Sequence, residues 1–429
     1  MSPTATWTVP GPGLPPEPAA VTAGGDRLLL TEVRLAPIGP ADPLGTDLRE
    51  SWALHAGRLG ARPVGTTALL DEATAFGLTG YGGAHVPAAV KWRAAAAGSG
   101  PLTVVANGAE SEPVAGKDGT LMRQRPHLVL DGLELLAESL GASRAVVWLH
   151  GDDEGARSAL RHALIERPRV PGAVRLEIVA GPVHYLAGES SAIARALAGH
   201  PALPVVRRRP TDPAAPRTLV HNVETLARLA LLARGRTPAA TRLLTVLGDR
   251  RAVVEVDDSM VFAELLSRLG WTVAPQAVLL GGYGGLWASW DRVADQPLHE
   301  GRLRAQGLTL GAGVVIPLAA GRCGLRETAA IARYLASMSA RQCGPCAFGL
   351  PSLADSCEAL ADGRPGHGRL TSVLGDAALV EGRGACHHPD GATRMVASAI
   401  ATFDADATAH AAGRPCPASG YVGLPGLPS

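Results

Sequence analysis

Leu102-Thr103-Val104-Val105-Ala106-Asn107-Gly108-Ala109-Glu110-Ser111-Glu112-Pro113 joins a short apolar run to a polar loop. The run has strand character, and the loop sets an amide and two carboxylates at its carboxyl end. Open α/β sheets bind ligands in that place. Downstream, apolar spacing predicts a helix over 127–140 capped by Gly141, a buried strand over 145–149, a helix over 154–165 and a strand over 174–179. Strand and helix in alternation predict a parallel sheet.

Further on the pattern changes. A helical stretch is expected around 221–233, then short strands at 244–246, 252–256 and 277–280 around one helix, 261–269, which reads as a small α+β domain. From Leu325 apolar residues fall at helical spacing near 325–338, 346–361, 370–380 and 391–403, the pattern of a helical bundle. Residues 1–24 and the tail after about 406 are rich in Pro and Gly and are expected to be loosely held.

Composition narrows the function classes. With 429 residues, 46% of them apolar, the chain can bury a sizeable core in two to four domains. Its 40 Lys+Arg balance 39 Asp+Glu, so no broad surface for nucleic acid or anionic lipid is implied; Arg207–Arg208–Arg209 is the main local exception. No stretch approaches the roughly 18 apolar residues of a membrane span, and the N-terminus has no basic region followed by an apolar core. A cytoplasmic protein is expected. Cysteines 323, 343, 346, 357, 386 and 416 crowd the last quarter of the chain, which points to a metal or redox centre rather than a disulfide framework.

Three further stretches could carry chemistry. Gly77-Leu-Thr-Gly80-Tyr-Gly82-Gly83-Ala-His-Val-Pro87-Ala-Ala-Val-Lys91-Trp92 packs four glycines into seven residues before a helix. Such a loop can curl around a phosphate, with helix N–H donors and the charge of Lys91 to hold it, or it can be only a turn. Tyr185-Leu-Ala-Gly188-Glu189-Ser190-Ser191 follows a strand and opens a helix. Cys343-Gly-Pro-Cys346, with Cys386 before His387 and His388, could hold an iron–sulfur cluster, a zinc ion or a redox dithiol. Glu110 and Glu112 could hydrogen-bond a ribityl chain or a flavin edge, or simply serve a solvated loop.

Taken together and in this order, these elements resemble the NADH-oxidising, FMN-bearing subunit of complex I and of related NAD-linked hydrogenases, with this chain as a divergent member. Residues 77–92 resemble the family's G-L-R-G-R-G-G-A-G-F-P-x-G-x-K-W, 107–113 its N-A-D-E-x-E-P, 185–193 its Y-x-x-G-E-E-T-A-L, and His221-Asn222-Val223-Glu224-Thr225-Leu226 its N-N-V-E-T-L. Ser339-Ala-Arg-Gln-Cys343-Gly-Pro-Cys346-Ala347 resembles its S-C-G-x-C-x-P-C-R, and Cys386 a lone later cysteine.

The resemblance implies an α/β chain organised as a leader and helical extension (1–64), a Rossmann-like FMN-binding domain (65–240), a ubiquitin-like β-grasp domain (241–318), a four-helix iron–sulfur bundle (319–405) and a loose tail (406–429). It implies that Gly80, Gly82, Gly83 and Lys91 hold the FMN phosphate, that Asn107, Glu110, Ser111, Glu112, Tyr185, Gly188, Glu189 and Asn222 surround the flavin and its chain, and that Cys343, Cys346 and Cys386 hold a 4Fe–4S or incomplete iron–sulfur cluster. FMN would pass electrons from NAD(H) or a related donor to the cluster and on to a ferredoxin-like protein or another redox subunit. Such a protein would be cytoplasmic, held to the inner membrane face only through a partner.

The departures bear on this. Ala340 stands where the family's first cluster cysteine falls, so a cubane would need another ligand: Cys323, His387 or His388, while Cys357 should lie about three helical turns beyond Cys346. Val86 replaces an adenine-stacking phenylalanine and a later one aligns near Pro210; Ser190 and Ala109 replace acidic residues. Asn-Gly-Ala-Glu-x-Glu-Pro is closer to the electron-input subunit of Rnf-type ferredoxin:NAD oxidoreductases. A relative that kept the fold as a scaffold and lost its cofactors is the alternative reading.

Overall fold

A computed structural model describes residues 26–29, 33–36, 49–168, 172–205, 215–248, 251–364 and 370–416. Residues 1–24, the arginine run 207–209, Pro210 and the tail from 417 lie outside it. The strands are β1 (Val33–Ala36), β2 (Leu102–Asn107), β3 (Arg144–His150), β4 (Leu176–Gly181), β5 (Arg217–Asn222), β6 (Thr241–Leu247), β7 (Arg251–Asp257), β8 (Ala277–Leu280), β9 (Leu286–Ser289) and β10 (Val314–Leu318).

Four of them form the parallel sheet, in the order β4-β3-β2-β5. Both faces are covered, which is why β2 and β3 read as nearly continuous apolar runs. Val104 and Ala106 pack on one side with the helix Pro126–Ser139, while Val105, Val146 and Trp148 pack on the other with Ile193. A Cβ on Gly132 would collide with the Leu226 carbonyl, so Pro126–Ser139 and the helix Val223–Leu232 meet backbone to backbone.

Two features of this region depart from the sequence reading. The helix expected around 221–233 starts only at Val223: His221 and Asn222 end strand β5, which pairs with β2 from Leu102↔Arg217 to Asn107↔Asn222. The strand's last residue, Asn222, then caps the helix through its side chain, accepting the Glu224 N–H at 2.9 Å. The polar segment Lys117–Gln124, which has no apolar stripe to mark it, forms a further buried helix.

The second sheet has six strands in the order β1-β7-β6-β10-β8-β9. Its centre is the parallel pair β6 and β10, with the helix Phe262–Arg268 packed on the sheet, an arrangement of the β-grasp type; β1 extends it by pairing antiparallel with β7. The helices Gly324–Ser337, Leu350–Ala361, Leu370–Val380 and His388–Thr402 follow, with a single π-helical turn, Pro345–Gly349, leading into the second. The segment from 406 lies in an ordered helix, Asp404–Ala411, that follows Phe403; its Ala407 and His410 are buried where composition alone suggested a loose tail.

Candidate functional site

Asn107 and Asn222 end adjacent parallel strands and are register partners, which puts two amides side by side at the carboxyl edge of the sheet. Asn107 Nδ2 donates to the Gly188 carbonyl at 2.9 Å and its Oδ1 accepts the Ala109 N–H at 3.1 Å. Asn222 Nδ2 donates to Asp118 at 2.6 Å. The loops after β2, β4 and β5 are thereby tied together.

The glycine loop lies against the same edge. A Cβ on Gly82 would sit 3.4 Å from Asn222 Cβ, and Gly83, at φ +101°, would place one 3.5 Å from Gly311 on the second sheet's side. Gly80 closes the loop by donating to the Val86 carbonyl at 2.9 Å. Lys91 reaches back from the following helix to donate to the Val220 carbonyl at 3.1 Å, two residues before Asn222.

The two glutamates of the β2 loop have separate roles. Glu110 accepts the Gly119 N–H at 2.9 Å through Oε2, but its Oε1 is buried with no hydrogen-bond partner. Burial and the nearby Asp118 raise its carboxyl to about 7. Glu112 is saturated: it accepts from Tyr185 Oη at 2.5 Å and from the N–H groups of Tyr283 at 2.7 Å and Gly284 at 3.2 Å in the turn between β8 and β9. Glu112 and Tyr185 thus face each other and lock the β2 loop to the second sheet. Gly188 is required where it stands, since a Cβ there would lie 2.7 Å from Ser111 Oγ and 2.8 Å from the Ala109 carbonyl. Glu189 caps the helix Ser190–Leu197, accepting from the amides of Ser191 at 2.6 Å and Ala192 at 3.1 Å.

Beneath these loops lies a charge cluster that sequence reasoning missed. Lys117 Nζ is 2.7 Å from Asp118 and 3.1 Å from Glu224, and Arg228 reaches Glu224 at 2.9 Å, all four nearly inaccessible to solvent. Burial disfavours every charge here, yet the surrounding carboxylates hold the Lys117 ammonium well above its ordinary range, and Lys117 with Arg228 keeps Glu224 low. The pair Lys117-Asp118, four residues past Pro113, was the available signal.

These residues fit a flavin mononucleotide. The glycines leave their loop at the sheet edge without side chains, Glu110 presents a buried oxygen without a hydrogen-bond partner, and Lys91 supplies cationic charge. The arrangement can hold a phosphate beside the glycine loop and hydrogen-bond a polar, planar ring against the amide pair.

The cysteines form a second group. Cys346, in the π-helical turn, is 2% exposed; burial and then its neighbours Cys343 and Cys386 push its thiol up to about 12. Burial likewise raises Cys386, with Glu189, Cys343 and Asp390 adding to it. The three sequence-expected thiols therefore lie within electrostatic reach of one another. The donor set fits three corners of an iron–sulfur cluster.

The fourth-ligand candidates named from sequence do not join them. His387 is fully exposed and faces Asp390, and His388 Nε2 meets the Leu335 carbonyl at 2.8 Å. Cys357 lies among Asp376, Glu358 and Arg333. Cys323 is turned toward His410 and Cys416 instead, because it precedes the first turn of its helix on the side where Asp404–Ala411 docks. Ala340 is half-buried.

Comparison with known proteins agrees with both groups. Residues 73–231 match the family described as the Nuo51 FMN-binding domain, and residues 326–410 match the NADH-ubiquinone oxidoreductase-F iron-sulfur binding region. The F subunit of the Mycobacterium tuberculosis NADH-quinone oxidoreductase is 27% identical over 427 residues, covering 89% of this chain and 95% of that protein. The C subunit of the ion-translocating oxidoreductase complex of Pseudomonas aeruginosa is 34% identical over 250 residues, covering 57% of this chain and 30% of that protein. An NAD+-reducing NiFe hydrogenase in the H2-reduced state shares the fold at a TM-score of 0.72 and 24% identity, over 84% of this chain and 67% of the other.

Proposed function

Because this chain belongs, as a divergent member, to the family of NADH-oxidising FMN and iron–sulfur subunits of complex I, we propose that it is an electron-transfer subunit working between a nicotinamide donor and a one-electron partner. Bound FMN would supply exchange between two-electron and one-electron chemistry, and a cluster would carry the single electrons. The chain's own residues position and insulate those groups.

The N–H groups of Gly82 and Gly83 would donate to the phosphate and the Lys91 ammonium would neutralise it, with Gly80 shaping the loop through its bond to the Val86 carbonyl. Asn107 and Asn222 would orient the ring edge, Glu110 Oε1 would accept a ring or ribityl hydrogen, and the Glu112–Tyr185 bond would keep the loop from moving. Cys343, Cys346 and Cys386 would hold the cluster, with its fourth iron ligated from outside the chain or missing.

One observation carries the reading: the flavin loops meet the cysteines. Glu189, in the loop after β4, acts electrostatically on Cys386, and the Tyr185 ring lies 5.3 Å from that of His388. Gln342, next to Cys343, donates to the Pro204 carbonyl at 2.9 Å. An electron leaving the loops would have only a short, packed distance to cover.

The relatives are subunits of larger oxidoreductases, so a redox partner subunit is implied; we take it to be ferredoxin-like. No described helix is long and apolar enough to cross a membrane. A cytoplasmic site, with membrane contact only through a partner, fits this reading. The test is anaerobic mixing of purified protein with NADH: its yellow absorbance should bleach. Retained FMN that NADH leaves unchanged over minutes would move the donor role to a ferredoxin, and protein lacking both flavin and iron would favour the scaffold.

A further inference from the structure

Outside the site described above, one other cluster of ligating side chains stands out. Cys323 precedes the helix Gly324–Ser337, His410 lies in the last turn of Asp404–Ala411, and Cys416 follows six residues later. Cys323 and His410 are each 1% exposed and Cys416 is half-buried. Their ligand atoms all lie within 4.8 Å of one another, the only such group among the described residues.

We propose that Cys323, His410 and Cys416 form a binding site for a single thiophilic divalent cation, zinc by preference, that fastens the C-terminal segment to the helical region. The donor set is two sulfurs and one imidazole nitrogen with no carboxylate among the three, which selects zinc over magnesium or calcium.

The spacing suits one ion. Zinc bonds of about 2.3 Å to sulfur and about 2.0 Å to nitrogen at a tetrahedral angle separate the two ligand atoms by about 3.5 Å. Cys323 Sγ and His410 Nε2 are 3.8 Å apart. Cys343, Cys346 and Cys386 do not all come within 4.8 Å of one another and are a separate group.

His410 is oriented as a ligand. Its Nδ1 faces the carbonyls of Leu360 at 3.2 Å and Ala361 at 3.0 Å. Both are acceptors, so Nδ1 carries the hydrogen and Nε2 keeps its lone pair toward the cysteines. A carbonyl behind the distal nitrogen is the usual support of a zinc-bound histidine. In the ion-free protein that lone pair accepts the Cys416 N–H at 2.9 Å. Loading exchanges this hydrogen bond for a metal–nitrogen bond and moves the 412–416 turn slightly.

The frame around the site is tightly packed. A Cβ on Gly324 would collide with Phe403, so the start of one helix is pressed against the start of the other. Gly363, at φ +65°, would place a Cβ 2.9 Å from Pro415 Cδ, which holds the approach to Cys416 against the end of Leu350–Ala361. A bound ion therefore joins places in the chain that are already in contact.

The test uses full-length protein prepared anaerobically and titrated with Zn2+ alone. Wild type should bind one more zinc than Cys416→Ser, both in the natural sequence and with Cys386→Ser, which disables the cluster segment. Affinity should fall by roughly a hundredfold or more in Cys416→Ser and His410→Gln. Equal zinc content in wild type and Cys416→Ser would overturn the proposal, as would a Cys323–Cys416 disulfide in the anaerobic protein. A measurement without variants guards against misfolding: zinc should slow alkylation of Cys416 in the wild type, and an unchanged alkylation rate would also overturn it.

Discussion

Tyr185 donates to Glu112 at 2.5 Å, and the same carboxylate accepts two amides from the turn between β8 and β9. One buried side chain thus joins the loop after β2, the loop after β4 and the second sheet. Glu112→Ala leaves a hydroxyl and two N–H groups without an acceptor, and the cost should be about 3 kcal/mol. Thermal or urea unfolding would show it. Glu112→Gln keeps one accepting oxygen for Tyr185 and Gly284 but turns an NH2 toward the Tyr283 N–H, so its loss should be smaller than that of Glu112→Ala but still measurable.

Gly188→Ala tests the close approach of the β4 loop to Ser111 and Ala109. Its methyl must displace Ala109 backbone beside Asn107, so FMN affinity should fall at least tenfold, about 1.4 kcal/mol. Fluorescence titration with FMN measures it. Gly77→Ala, whose Cβ would meet open space, should change affinity far less despite its strained φ of +78°.

The Lys117 cluster makes a stability prediction. Lys117→Met removes the cation between Asp118 and Glu224 while Arg228 still holds Glu224, leaving Asp118 buried without its cation and held only by the Asn222 amide. Loss of about 3–5 kcal/mol is expected. Lys117→Met with Asp118→Asn should recover part of it, as a double-mutant unfolding cycle will show.

Acid sensitivity should come partly from His221. Its Nε2 accepts the Trp92 indole N–H at 3.1 Å, and burial followed by the charge of Lys91 holds it down at about 3. The unfolded chain protonates near 6.5 and the folded chain does not, so this stability is complete above 6.5 and is lost as pH falls from there toward 3. At pH 5 the loss should be about 2 kcal/mol. His221→Gln should flatten the stability difference between pH 7 and pH 5; an unchanged difference would contradict the assignment.

Ala340→Cys should restore the ligand that the family pattern places there. Iron and sulfide per chain should rise after anaerobic reconstitution, whereas Cys346→Ser should abolish both. Iron analysis of the two variants beside wild type decides it.

Much of this was readable from local patterns. The β2 run and its loop are contiguous, and so are the glycine loop and the Cys343–Cys346 pair; each carries its signal within a few residues. β5 was hidden because Arg217–Asn222 becomes a strand only by pairing with β2, while its neighbour Val223 starts a strong helical period. The Lys117 cluster and the meeting of Cys323 with His410 depend on contacts between residues 87 or more positions apart or on polar helices without an apolar stripe. Glu112 and Tyr185 were placed near the flavin by motif, but only the packing shows that they bind each other.

The most direct measurement is the FMN content of full-length protein purified anaerobically and reconstituted with excess FMN, compared with Lys91→Met and Gly82→Val. Wild type should retain one FMN per chain through gel filtration, and both variants should lose most of it while keeping their fold by circular dichroism. Wild-type protein that retains none, or variants that retain it equally, would contradict the assignment of the glycine loop and Lys91 as the flavin's anchor.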